Sequence, residues 1–138
     1  MGGWRHFGHG ADLGVRAEGS TKEEVFEQMA LGMTAAVTDP ARIRGVEDVA
    51  IACEAPSLEY LMVDWLNAIV YEMSVRRMLF GRFQVKLDER SLHGTATGEM
   101  VDAGRHQPAV EVKGATYTAL AFRGRDDGAF EAQCIVDV

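Results

Sequence analysis

Residues 130–138, FEAQCIVDV, decide the fold. Apolar and polar positions alternate along them, which is the period-two pattern of a strand with one buried face. The apolar face carries Phe130, Ala132, Cys134 and Val136, and the other face carries Glu131, Gln133 and Asp137. Because most domains end in a few loosely held residues, a strand that reaches the last position is predicted to be tied into a sheet.

The same strand predicts a binding site. The side chain of Asp137 and the terminal carboxylate of Val138 lie next to each other in the sequence. Two anionic groups held this close repel each other unless a cation neutralises them. The end of the sequence is therefore a candidate cation site.

Two helices are predicted upstream from capping signals and apolar periodicity. The first begins in a capping box, with Ser20 as the N-cap and Glu23 reaching back to it, and ends before Asp39. The second begins at Ser57, directly after Pro56.

The remaining periodic segments are predicted to be strands of one domain, 1–138. They are residues 4–9, 13–17, 46–53, 83–87, 91–101, 110–122 and 130–138, with a hairpin turn at Asp127-Gly128 before the last. The predicted fold class is α+β: a two-layer domain in which two main helices pack on a largely antiparallel sheet.

Length and composition fit a globular chain. With 138 residues, 47% hydrophobic and 25% charged, it is long enough to bury a core without disulfides or a structural metal. Cys53 and Cys134 lack Cys-x-x-Cys spacing, which favours buried free thiols and a reducing cytoplasm. No apolar run reaches the length of a membrane span, and the first residues lack the apolar region of a signal peptide. A cytoplasmic location without a membrane partner is expected.

The formal net charge is −7. Such a charge argues against direct binding of nucleic acid, because neutralising phosphates needs a basic surface. If this chain works on RNA, it is expected to do so through a partner.

Common enzyme motifs are missing from the sequence. His6 and His9 fall on opposite faces of a predicted strand with no third ligand nearby, so we interpret them as non-ligand histidines. The glycines from Gly8 to Gly14 fit a turn between strands better than a phosphate loop. No Gly-x-Ser-x-Gly motif occurs, so covalent catalysis has no support in the sequence.

Three polar residues stand out, each with a simpler interpretation beside the functional one. Asp12 lies at a strand junction and Asp39 at a helix end, where an aspartate commonly satisfies backbone amides. Lys113 shares the polar face of a predicted strand with Glu111, and a solvated pair is the default interpretation.

Three short motifs together resemble the archease family. They are His9-Gly10-Ala11-Asp12-Leu13-Gly14, Glu111-Val112-Lys113-Gly114-Ala115-Thr116-Tyr117 and the terminal Ile135-Val136-Asp137-Val138. Thr38-Asp39 and residues 61–67, LMVDWLN, agree with the pattern. Each motif is weak alone, but their order and spacing are specific, and the resemblance covers essentially the whole chain.

The resemblance implies a protein cofactor rather than an enzyme. Archeases assist the RtcB-type RNA ligase, which joins 2′,3′-cyclic-phosphate or 3′-phosphate ends to 5′-hydroxyl ends in tRNA splicing and RNA repair. They promote guanylylation of the ligase by GTP and manganese, restore multiple turnover and can broaden nucleotide use. The ligase, rather than this chain, would then hold the RNA.

The resemblance also implies a divalent-cation site, usually calcium, at Asp12, Asp137 and Val138. An all-oxygen set suits calcium, magnesium or manganese better than zinc or copper. Three groups leave part of the calcium shell open, and we expect the open side to face the ligase. Lys113 matches the functional lysine of the family, and Asp39 is a supporting residue for activation.

The chain departs from the family pattern at three positions. Gly10 stands where Thr is usual, Gly114 where Ala is usual, and Thr118 where His is frequent. Glycine frees the backbone, so the geometry near Gly10 and Gly114 is expected to differ locally. His9 is retained, and it either orients Asp12 or packs.

Two other functions are open to the sequence. One is a free-standing, metal-dependent phosphohydrolase that uses Asp12 and Asp137, and the other is a chaperone-like interaction module. No general base, nucleophile or substrate motif accompanies the carboxylates, so ligase activation is preferred.

Overall fold

The computed structural model describes residues 2–138. Its strands are β1 (Gly3–His9), β2 (Asp12–Gly19), β3 (Glu47–Glu54), β4 (Met78–Asp88), β5 (Ser91–Met100), β6 (Gly114–Ala115), β7 (Ala121–Gly124) and β8 (Phe130–Asp137). Its helices are α1 (Lys22–Val37), α2 (Leu58–Arg76), the short α3 (Ala103–His106) and a 3-10 helix, Pro40–Arg42. Across residues 2–138, no helix is long and apolar enough to cross a membrane.

All strand pairings are antiparallel, but the strands form two sheets rather than one. The first has the order β1-β2-β8-β6, and β7 pairs with the same edge of β8 as β6 does. The second has the order β3-β5-β4. The predicted α+β class is confirmed, and β8 is an interior strand of the first sheet.

Both main helices begin at side-chain caps. Ser57 accepts a hydrogen bond from the amide of Tyr60 at 3.2 Å, which confirms the predicted start of α2. The predicted cap of α1 is wrong by one residue: Thr21, not Ser20, is the N-cap and accepts from the Glu24 amide at 3.1 Å. The run Ser-Thr-Lys-Glu-Glu contains two overlapping capping boxes, and spacing alone does not choose between them.

One hydrophobic core joins the helices to both sheets. α1 and α2 each contact strands of the two sheets. Their largest buried side chains are Phe26, Met29, Met33, Leu61, Met62, Trp65, Leu66 and Ile69. The indole nitrogen of Trp65 donates to the carbonyl of Phe26 at 3.0 Å and links the two helices directly.

The predicted strand 110–122 is wrong as a continuous element. The chain instead forms the two-residue β6, a turn in which Ala119 has a φ of 53°, and then β7. Apolar alternation predicts which positions are buried, and Val112 is indeed 5% exposed. It does not predict whether a neighbouring strand receives the backbone hydrogen bonds, because that depends on tertiary context.

The predicted turn at Asp127-Gly128 is confirmed. Asp127 Oδ1 accepts from the Ala129 amide at 3.0 Å, and Gly128 has a φ of 87°. The turn returns the chain from β7 into β8, and so delivers the last strand to the centre of the first sheet.

Candidate functional site

The pairing of β2 with β8 brings distant parts of the sequence together. Leu13 pairs with Val136 in this antiparallel ladder. The next opposed positions are therefore Asp12 and Asp137. On the other side of β2, His9 pairs with Asp12. Because opposed residues in a ladder project to the same face, His9, Asp12 and Asp137 share one face at this end of the sheet.

A two-residue turn places Asp12 at the start of β2. Gly10 has a φ of 62° and, with Ala11, joins the paired residues His9 and Asp12. A positive φ at the first central position is what a type II′ hairpin turn requires, and glycine adopts it without steric cost. Gly114 is not in this left-handed region. Only Gly10 therefore uses the conformational freedom expected for both glycines.

β6 brings Lys113 to the other edge of the terminal strand. Gly114 pairs with Asp137, and the Lys113 amide donates to the Asp137 carbonyl at 2.8 Å. The side chains of Lys113 and Asp137 are exposed, while Val138 packs partly against the core. Four of the predicted site residues thus meet at one end of the first sheet: Asp12, Lys113, Asp137 and Val138.

The carboxylates at this end have no neutralising group from the described chain. Within residues 2–138, the side chains of Asp12 and Asp137 take part in no ion pair or hydrogen bond. Nor does this part of the chain contain a group of three His, Cys, Asp or Glu side chains that could hold a metal ion. The two carboxylates and Val138 offer oxygens at this place.

An apolar row lies beside the carboxylates on the same face. Gly14 is paired with both Phe7 and Ile135, and the Phe7 ring covers it so closely that a Cβ there would approach the ring to 2.3 Å. The Arg16 guanidinium lies 4.8 Å from the centre of this ring. It donates to Gln133 Oε1 at 2.7 Å and 3.1 Å. Arg16 is therefore held by Gln133 rather than by the aspartates.

Within residues 2–138, Asp39 forms no hydrogen bond or ion pair with this group. It is the N-cap of the 3-10 helix, and its Oδ1 accepts from the Ala41 amide at 3.0 Å. The structure thus gives Asp39 the turn role of its simpler interpretation.

The two N-terminal histidines lie on opposite faces of β1, as their spacing predicts. His6 pairs with the buried Val15, and its Nε2 lies 2.8 Å from the carbonyl oxygen of Gly32 on α1. His9 lies on the opposite face, which it shares with Asp12.

Both cysteines are free thiols, as predicted, but only Cys134 is buried as expected, whereas Cys53 is half-buried. Burial raises the pKa of the Cys134 thiol to about 11, and burial together with the charge of Asp64 raises the pKa of Cys53. A protonated, buried thiol is a poor nucleophile.

A second carboxylate site, which the sequence reasoning missed, is built around Glu99 on β5. Arg105 donates to its two oxygens at 2.6 Å and 2.8 Å, and His106 Nε2 lies 3.0 Å from it. The Arg44 amide donates to it at 2.8 Å. The Arg105 hydrogen bonds, followed by that of the Arg44 amide, hold the pKa of Glu99 well below its usual range. We call Glu99, Arg105 and His106 the acid cluster.

His106 ties the acid cluster to the end of α1. Its Nδ1 accepts from the Asp102 amide at 2.9 Å, so Nε2 carries the proton that is donated to Glu99. The imidazole of His106 is fully buried. The backbone carbonyl of His106 accepts a hydrogen bond from the hydroxyl of Thr38. The cluster therefore anchors the start of the segment that leads to Lys113.

An open groove of about 410 Å³ runs beside Lys113. Its walls are largely apolar and include Val37, Val70, Met73, Met78, Leu79, Val101 and Val110. Glu111 and Lys113 also line it. Val101 is 42% exposed and Val110 is 39% exposed, so apolar surface faces solvent next to the charged end of the sheet.

Comparison with known proteins gives one consistent result. Residues 4–138 match the model of the archease protein family (MTH1598/TM1083). The chain is 33% identical to protein archease of Pyrococcus furiosus over 139 residues, covering 98% of each chain. It is 34% identical to protein archease of Methanosarcina barkeri over 140 residues, covering 98% of this chain and 95% of that one.

A solved structure has the same fold. The chain is similar to the solution structure of Methanobacterium thermoautotrophicum protein 1598, with a TM-score of 0.86 and 32% sequence identity. The similarity covers 99% of both chains. Sequence and fold therefore agree over nearly the whole length.

Proposed function

The chain belongs to the archease family, and from that premise we propose that it activates an RtcB-type RNA ligase rather than acting as an enzyme itself. It promotes guanylylation of the ligase by GTP and manganese, supports multiple turnover in tRNA splicing or RNA repair, and broadens the nucleotides that the ligase uses. The ligase holds the RNA, in keeping with the net charge of −7 on this chain.

One observation carries the proposal: residues from three separate motifs converge at one end of the first sheet. Asp12 comes from the first motif, Lys113 from the second, and Asp137 and Val138 from the third. Strand pairing brings them together, across nearly the full length of the chain. A function shared between these motifs needs such a convergence.

We assign a divalent cation, calcium first, to Asp12, Asp137 and Val138. The two carboxylates share a face and have no cationic partner in the described chain. Hard cations prefer such oxygens, and calcium takes about six to eight of them, so positions stay open for water or for a ligand from the ligase. Magnesium and manganese use the same oxygen chemistry and are the alternatives that a titration compares.

Lys113 supplies positive charge beside this negative end. Its exposed side chain suits a contact with phosphate or with an acidic group of the ligase. The groove next to it exposes Val101 and Val110, and exposed apolar surface of this kind is what protein partners cover. Asp39 remains a supporting candidate through its position after α1.

The test is a guanylylation assay with the cognate ligase, GTP and manganese. We expect this protein to accelerate formation of the ligase–GMP adduct and to sustain repeated ligation. No acceleration, combined with hydrolysis of nucleotide or cyclic phosphate by this protein alone, would instead favour the phosphohydrolase alternative.

Three variants narrow the test to the terminal site. Asp137→Ala and a one-residue extension after Val138 are expected to lower both calcium affinity and ligase activation in a folded protein. Lys113→Ala is expected to lower activation while calcium affinity stays the same. If Asp137→Ala and the extension both leave calcium binding and activation intact, the terminal cation site is wrong.

A further inference from the structure

The side chain of Asn67 on α2 takes the place of a neighbouring strand for β6. Its Oδ1 accepts from the Ala115 amide at 2.8 Å, and its Nδ2 donates to the Ala115 carbonyl at 3.3 Å. One side-chain amide thus satisfies both backbone groups of one residue, as a strand neighbour does. β6 is only two residues long and pairs with β8 on its other edge. The Asn67 clamp therefore supplies the pairing that this short strand otherwise lacks.

Asn67 lies on a part of α2 that is packed into the core. Leu66, directly before Asn67 on the helix, and Ile69, two residues after it, are fully buried in the core. Gly114 leaves room for the amide, because a Cβ at this position would come within 3.0 Å of Asn67 Oδ1.

The clamp acts directly beside the functional end of the sheet. Ala115 pairs with Val136, and the preceding Gly114 pairs with Asp137. Holding the backbone of Ala115 therefore fixes the register of β6 on β8, and with it the point at which Lys113 leaves the sheet. We infer that Asn67 is a positioning residue for Lys113 and Asp137, an inference that rests on the ligase function proposed above.

The first test combines hydrogen exchange with the guanylylation assay on the full chain. In Asn67→Ala, exchange of the Ala115 amide is expected to rise about tenfold, the factor that corresponds to about 1.4 kcal/mol. Stimulation of the ligase is expected to fall. Asp64→Ala, an exposed position on the same helix, is the matched control and is expected to change neither quantity.

A double-mutant cycle separates positioning from general damage. If Asn67 acts through Lys113, Asn67→Ala lowers stimulation in the wild-type background but adds little to Lys113→Ala. Equal losses in both backgrounds would overturn the inference, and so would unchanged stimulation or unchanged Ala115 exchange in Asn67→Ala. The exchange measurement needs no ligase. It therefore distinguishes a failed clamp from a failed ligase function, in which the wild-type protein itself leaves guanylylation unchanged.

Discussion

Two parts of the molecule give their carboxylates opposite surroundings. In the acid cluster, Glu99 accepts hydrogen bonds from Arg105 and His106, and its side chain is 10% exposed. At the end of the first sheet, Asp12 and Asp137 face the same side with no partner in the described chain. The acid cluster is completed by the protein itself, whereas the sheet end is where we propose that a cation binds.

The two arrangements have different energetic consequences. Removing one member of a shielded network leaves the other polar groups unsatisfied, which costs more than the bond itself. Neutralising one of two solvent-accessible like charges instead relieves repulsion, which is small in water. Stability is therefore expected to depend on the acid cluster, and activity on the sheet end.

The largest effect is expected for His106→Ala. This change leaves a cavity and removes the partners of the Asp102 amide and of Glu99, so we expect a loss of roughly 3 kcal/mol in the free energy of unfolding. Urea unfolding measures it. His93→Ala, an exposed histidine on β5, is the control and should stay within about 0.5 kcal/mol of the wild type. Equal losses in the two variants would mean that the acid cluster contributes no more to stability than an exposed histidine does.

The pH dependence of Glu99→Gln sharpens the comparison. Because hydrogen bonds lower the pKa of Glu99 in the folded state, its charge stabilises the protein above the unfolded value of about 4.5. That contribution is lost as the pH falls through the lower folded-state pKa. The stability gap between wild type and variant should therefore be constant above about pH 5 and narrow toward about pH 2. A gap that widens on acidification would contradict this assignment.

An intermediate effect is expected for Gly10→Thr at the sheet end. The left-handed φ of 62° costs a residue with a Cβ about 1–2 kcal/mol. Gly8→Thr is the matched control, because Gly8 lies on β1 without a positive φ and has open space around its Cα. Thermal unfolding of both variants would show a lower melting temperature only for Gly10→Thr. An equal shift in the control would mean that the positive φ at Gly10 is not responsible.

Local periodicity predicted the elements well where burial alone determines them. Ser57 caps α2 as predicted, and the strands around β1, β2 and β8 follow their alternation. The same reasoning failed where the outcome depends on a distant neighbour. It merged β6 and β7 into one strand because nothing within 110–122 indicates which stretches of β8 accept hydrogen bonds there.

The candidate site shows the same limit. The sequence alone predicted a cation site at Asp137 and Val138. The addition of Asp12 to that site rested on a family resemblance, because neither strand's own sequence predicts that β2 pairs with β8. Nothing in the sequence indicated the site at Glu99, because apolar alternation predicts the face on which a residue lies but not which distant side chains contact it. Asn67 likewise resembles any half-exposed helix residue until Ala115 is placed beside it.

The smallest change in stability, and the sharpest contrast with Glu99, is expected for Asp12→Asn and Asp137→Asn. Without added divalent ions, each variant should lie within about 0.5 kcal/mol of the wild type, with any gain coming from relief of repulsion and fading in high salt. Added calcium should raise the melting temperature of the wild type, because a ligand that binds the folded state stabilises it, and should raise that of the two variants far less. Asp126→Asn, an exposed loop aspartate, should keep the full calcium response. If the variants at the sheet end lose as much stability as Glu99→Gln, the two aspartates have partners within the folded protein, and the contrast between the sheet end and the acid cluster is wrong.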